Sequence, residues 1–69
     1  MQINIRDYED KDIIRMIREW TSLTQEEFAN KLDIKPRVLK SYEQGERNYN
    51  LNILRKIART FDVKINIKK

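Results

Sequence analysis

The 69-residue sequence has no cysteine and no histidine, a single glycine and a single proline. The first two absences remove the thiolate nucleophile, the commonest general base and the usual zinc ligands together. Carboxylates, lysines, tyrosines and two serines are left as conceivable catalytic groups. With Gly45 alone, no glycine-rich phosphate loop can be built. A core this small also offers few walls for a substrate pocket, so the composition points away from an enzyme and implies no metal and no cofactor. Long apolar runs are missing too. The longest is two residues, as at Ile13-Ile14 and Val38-Leu39, against about 20 for a membrane-spanning helix. No signal-peptide apolar region is present either, so no membrane association is expected. The lack of cysteine fits a reducing cytoplasm. A chain of this length is expected to form one domain, residues 1–69, whose stability must come from helix packing or from a partner chain.

What is present is charge, unevenly placed. Up to Ile34 there are five basic and eight acidic residues, a formal −3; from Lys35 onward there are ten basic and three acidic ones, a formal +7, and together they give the net +4. A pole of one sign on a small domain steers a polyanion to one face.

The hydrophobic period changes along the chain. At 1–6, Ile3 and Ile5 alternate with polar residues, and at 63–68 Val63, Ile65 and Ile67 alternate with Lys64, Asn66 and Lys68. A period of two predicts short strands, which must pair with each other or with a second chain. Between them Ile13, Ile14, Ile17 and Trp20 form one apolar stripe at helical spacing, with Asp7 or Asp10 as the cap. The acidic cluster Asp7, Glu9, Asp10 and Asp12 has no glycine turn and no late bidentate glutamate, so it suits a helix N-terminus rather than calcium. Thr24 to Glu27 reads as a capping box opening a second helix with Phe28, Ala29 and Leu32 buried. Pro36 can open a third helix after Lys35, although Lys35 cannot cap it. Gly45 closes that helix, and Asn50 caps a fourth carrying Leu51, Leu54, Ile57, Ala58 and Phe61.

The second and third helices, about nine and ten residues long, are separated by two or three residues, so they cross steeply, as in a helix-turn-helix. Ala29 keeps the crossing close. On the third helix Leu39 and Tyr42 face one way and Arg37, Lys40, Ser41 and Gln44 the other. That is a cationic stripe of the kind a major groove accepts.

Arg18, the run Leu23 to Ala29, Leu32, Ile34, Leu39, Tyr42-Glu43-Gln44-Gly45, Leu54, Ile57-Ala58 and Phe61 resemble the Cro/CI-type (XRE) helix-turn-helix family over about residues 13 to 63. The chain departs from that pattern at Asp33, where glycine is usual, at Lys35, where a small capping residue is usual, and at Tyr49, where proline is frequent. The resemblance implies a mostly α, lambda-repressor-like fold of four to five helices with short terminal strands. It also implies sequence-specific binding of double-stranded DNA by a small transcriptional regulator, a repressor above all.

Arg37 and Ser41 are then expected at base edges. Lys40 suits a base edge or phosphate, and Val38 a thymine methyl or the edge of the core. Gln25, Lys35, Arg47 and Asn48 are expected at phosphates. In that family an arginine and a glutamate pair at the positions of Arg18 and Glu43, which implies a structural ion pair. A homodimer on a palindromic operator is expected, with Val63, Ile65 and Ile67 as the seam. Two other readings stand beside this: an antitoxin-like DNA binder that also holds a toxin, and a protein-interaction module that binds no DNA.

Overall fold

The computed structural model describes residues 1–67. Strand β1 (Gln2–Asn4) leads through a 3-10 turn (Ile5–Asp7) into α1 (Asp10–Thr21), α2 (Gln25–Lys31), α3 (Pro36–Glu43), α4 (Leu51–Phe61) and strand β2 (Lys64–Asn66). The fold is the mostly α, lambda-repressor-like arrangement expected, with four helices and two short strands.

The strands are shorter than the alternation suggested, because Ile5 already turns into the 3-10 segment. They pair with each other, in parallel, with Ile3 opposite Ile65. The Lys64 N–H donates to the Met1 carbonyl at 2.9 Å, which ties the start of the chain to the end of the helical region. This pairing changes the expected dimer seam. Val63 lies in the chain's own core, Ile65 is half-buried against it, and Ile67 stands 47% exposed. Lys68, the last position of the expected strand, lies outside the described residues.

The core collects Ile13, Ile14 and Ile17 of α1, Phe28 and Ala29 of α2, Leu39 and Tyr42 of α3, and Ile53, Leu54 and Ile57 of α4. Leu32 joins them from the turn after α2. Phe28 and Phe61 stack with ring centroids 4.6 Å apart and planes within 2° of parallel, joining α2 to α4. Two expectations for α1 need correction. Trp20 is 51% exposed: the helix is in its last turn there, past the elements that cover Ile13 to Ile17. The N-cap is Glu9 and its side chain makes no capping bond, so neither Asp7 nor Asp10 closes that helix.

Each of the other boundaries has a local cause. In the capping box, Thr24 Oγ1 accepts from the Glu27 N–H at 3.1 Å while Glu27 Oε1 accepts from the Thr24 N–H at 3.0 Å. The Thr24 N–H bond, with the Thr24 hydroxyl beside it, stabilises the carboxylate and holds the Glu27 carboxyl below its ordinary range. Asn50 caps α4 through Oδ1, which accepts from the Ile53 N–H at 2.9 Å. Helices α2 and α3, expected at about nine and ten residues, have 7 and 8, because Leu32 and Gln44 are already the C-caps.

The turn between them is set by Asp33 at φ 57°. There the Ile34 N–H reaches the Ala29 carbonyl at 3.0 Å and the Asp33 N–H reaches Asn30 at 3.1 Å, the paired bonds of a Schellman ending. Glycine is the usual occupant of that conformation, and aspartate tolerates it. Gly45, φ 77°, closes α3 in the same way: the Glu46 N–H donates to the Ser41 carbonyl at 3.0 Å and the Gly45 N–H to Tyr42 at 3.3 Å.

Candidate nucleic-acid interface

The third helix presents the surface that the sequence pattern predicts. Leu39 and Tyr42 enter the core while Lys35, Pro36, Arg37, Lys40 and Gln44 are exposed. Ser41 is half-buried, and its hydroxyl donates to the Arg37 carbonyl at 3.0 Å, which leaves its oxygen lone pairs for an incoming donor. Val38 is half-buried against the core, so its packing role is the one seen. The helix start is uncapped: Lys35 makes no side-chain bond to it, and its ammonium stays in solvent beside Arg37.

The orientation of α3 is fixed from beneath by one polar cluster. Arg18 Nε donates to Glu43 Oε2 at 2.8 Å and Nη2 donates to Oε1 at 2.9 Å, a bidentate pair joining α1 to α3. Its side chains are 18% and 5% exposed. Arg18 Nη1 also donates to the Leu23 carbonyl at 3.2 Å. The bond to Glu43 is the main reason the guanidinium holds its proton more tightly than usual. Gln25 Nε2 then donates to Glu43 Oε1 at 3.2 Å, so α1, α2 and α3 meet on one carboxylate. Sequence reasoning placed Gln25 at a phosphate and missed this contact. Its amide retains a second N–H, and the residue sits at the first position of α2, so the two roles are compatible.

The segment after α3 carries Arg47 and Asn48, both exposed, and its two ends lie against α1. At one end Gly45 lies over Lys11, where an added Cβ would come within 3.5 Å of that side chain. At the other, the Tyr49 hydroxyl donates to Asp10 Oδ1 at 3.2 Å across 39 residues of sequence. Burial and the Asp10 charge both disfavour the phenolate, so the Tyr49 hydroxyl ionises above its usual range. Neither Tyr49 nor Asp10 was singled out for this contact. The available signal was an aromatic side chain, Tyr49, where proline is frequent; Asp10 carried none, since its place at the start of α1 read as a cap.

A helix-turn-helix family model matches residues 14–67. The chain belongs to the Cro/CI-type (XRE) helix-turn-helix family. It is therefore a DNA-binding regulator of the XRE type, from a family that is regulatory rather than typically enzymatic. Comparisons with curated proteins and with solved structures found no match. Within this XRE fold, the surface shared by α3 and the Arg47–Asn48 segment is the candidate DNA interface. Among the described residues, no helix is long and apolar enough to cross a membrane.

Proposed function

We propose that this XRE regulator is a repressor that binds a palindromic operator as a homodimer, with residues 1–69 acting as one domain. The observation that carries the reading is the pairing state of the charges. Lys35, Arg37, Lys40 and Arg47 are exposed and have no ion-pair partner among the described residues, although the helix that bears two of them is held by a bidentate ion pair from below. Fixed, unpaired cations on a helix of groove-compatible shape are suited to phosphate and base contacts.

In this reading Arg37 contacts a guanine O6/N7 edge from the first turn of α3, Ser41 and Lys40 follow one turn on, and Gln25, Lys35, Arg47 and Asn48 meet phosphates. One copy reads only part of a helical turn, so two copies on half-sites about 34 Å apart account for specificity. Of the exposed apolar residues, which also include Trp20 and Leu51, Met1 and Ile67 are the two beside the terminal strands and are taken as the seam between copies, since Val63 is committed to the core.

In vitro selection of bound duplexes from a random pool tests the reading. A palindromic consensus that is lost with Arg37→Ala is the expected result, and no enrichment from the pool overturns it. Sedimentation at tens of micromolar reports the dimer, which Ile67→Lys is expected to weaken. A small toxin-like protein co-purifying with the chain would instead favour the antitoxin-like reading.

A further inference from the structure

A second cationic face lies away from α3. On α4, Asn52, Arg55, Lys56, Arg59 and Thr60 line an open concavity of about 420 Å³. Asn52, Arg55, Lys56 and Arg59 share one side of the helix, away from Leu54 and Ile57, which enter the core, and Thr60 stands at the edge of that side next to buried Ile53. All five are exposed. Helix α4 contains no acidic residue, and Asp62, directly after it, forms no ion pair with Arg59. Arg55 and Arg59 are therefore like charges four residues apart, an arrangement that weakens a helix when no counter-charge is supplied. No described residue supplies that counter-charge.

The lining indicates what kind of anion fits. Surfaces that bind proteins concentrate aromatic and apolar side chains at their centre and are depleted in lysine. The lining has neither an aromatic nor an apolar member, and exposed Leu51 stands only at its edge, one turn before Arg55. Nucleic-acid interfaces are polar and strongly positive, and arginine, lysine, asparagine and threonine are the residue types that reach phosphate oxygens. Base readout needs a helix or strand inserted in a groove, whereas a row of cations on successive turns, about 5.4 Å apart, needs only a backbone running alongside.

We propose that the Asn52–Thr60 face of α4 is a second, sequence-independent contact for the phosphate backbone of duplex DNA, additional to the α3 surface. It adds affinity and salt dependence without adding specificity. This rests on the DNA-binding reading above, and the test separates the two.

The test compares the full chain with the triple variant Arg55→Gln, Lys56→Gln, Arg59→Gln, which keeps helix-forming side chains. Circular dichroism and thermal melting establish that the variant is folded, and fluorescence anisotropy measures binding to a random 30-base-pair duplex across a salt series. The slope of log affinity against log salt is expected to become shallower by about 2 to 3, since each lost phosphate contact removes about 0.9. The same change is expected on a selected operator.

Shortening the duplex to one half-site locates the phosphates. If they flank the site on the same duplex, the wild type and the variant converge. If they belong to a second duplex, the difference persists and the wild type titrates with two duplexes per chain. Both outcomes support the proposal. An unchanged slope on every duplex overturns it. So does competition in which polyglutamate binds the wild type and not the variant while the DNA slopes stay equal, because the face then serves an acidic protein. If the triple variant fails to fold, single substitutions are each expected to shift the slope by about 0.9, and no shift in any of them overturns the proposal. Absence of DNA binding by the wild type at low salt would instead remove the DNA reading itself.

Discussion

The two halves of the chain treat their cations in opposite ways. Before the turn, Arg6, Lys11, Arg15 and Arg18 each have a carboxylate within 4.0 Å, at Asp7, Glu9, Asp12 and Glu43. From Lys35 to Lys64, eight basic residues are exposed and none forms an ion pair among the described residues. The net charge of +4 is therefore the sum of an acidic half, −3, in which Lys31 alone of the five basic residues has no ion pair among the described residues, and a basic half, +7, whose described cations are unpaired. Of the four pairs only Arg18–Glu43 joins two helices; the other three link residues one to three positions apart, while the described cations from Lys35 onward stay in solvent. Glu43 is the exception that joins the halves: the acidic residue of α3 is spent holding α1, so it does not quench the cations on the outer face.

Breaking that junction should have the largest effect. Arg18→Ala strands Glu43, 5% exposed, with only the Gln25 amide. Removing one partner of a buried pair costs about 3 kcal/mol or more, and the partial exposure of Arg18 places the expected loss near about 2 to 3 kcal/mol. Urea or thermal denaturation measures it, with a fall in Tm of roughly 10 °C or more for a domain of this size. The double variant Arg18→Met, Glu43→Leu should recover most of the loss. If the single variant is as stable as wild type, the pair does not anchor α3.

On the free side of the comparison, Arg37→Ala should leave stability within about 0.5 kcal/mol, as for an exposed position. Its effect should fall on DNA, with about 1 to 3 kcal/mol of discrimination lost at one base position in a competition assay. Lys35→Ala and Arg47→Ala, at residues assigned to phosphates, should instead weaken all sequences alike. Equal losses on specific and random duplexes for Arg37→Ala would move it from the base-reading set to the phosphate set.

Much of this was legible because the informative residues act locally. Thr24 and Glu27 form their box within one turn, Asn50 caps from the preceding position, and Gly45 ends α3 by its own backbone freedom. The alternation of Leu39 and Tyr42 against Arg37, Lys40 and Gln44 is likewise a property of one helix. What stayed hidden depends on how elements meet. Whether the terminal strands pair with each other or with a second chain, and therefore which way Val63 faces, is decided by the path of four helices between them. Trp20 fits the apolar stripe by spacing, yet it stays 51% exposed in the last turn of α1. The Gln25 contact to Glu43 spans 18 residues and the Tyr49 contact to Asp10 spans 39, and no local pattern encodes either.

Smaller effects probe how the two halves are joined at their edges. Thr24→Ala removes the box and should cost about 1 kcal/mol. Because Glu27 titrates lower in the folded chain, its contribution is present above the ordinary glutamate pKa and is lost as pH falls through the folded value. An acid titration of stability should therefore be flatter for Glu27→Gln than for the wild type. At the other end of the scale, Tyr49 ionises higher when folded, so its contribution is present at neutral pH and declines as pH rises past about 10. Tyr49→Phe should cost about 0.5 to 1 kcal/mol at neutral pH, the net worth of one partly exposed hydrogen bond, and should lack that alkaline decline.

The smallest change tests the turn itself, which separates the paired half from the free one. Asp33 holds φ 57°, a conformation that costs an L-residue free energy and glycine almost none. The Schellman bonds from Ile34 and Asp33 are made by backbone N–H groups, so glycine keeps them. Against this gain stands the greater freedom glycine has in the unfolded chain. Asp33→Gly should therefore raise stability by only about 0.5 kcal/mol, measured by denaturation at fixed pH, and should make the charge ahead of α3 less negative by one. The loss of a carboxylate two residues before Lys35 should also strengthen binding to random duplexes slightly at low salt, an effect that fades as salt screens it. Lower stability with glycine would mean that the Asp33 side chain contributes to the turn beyond tolerating its backbone angle.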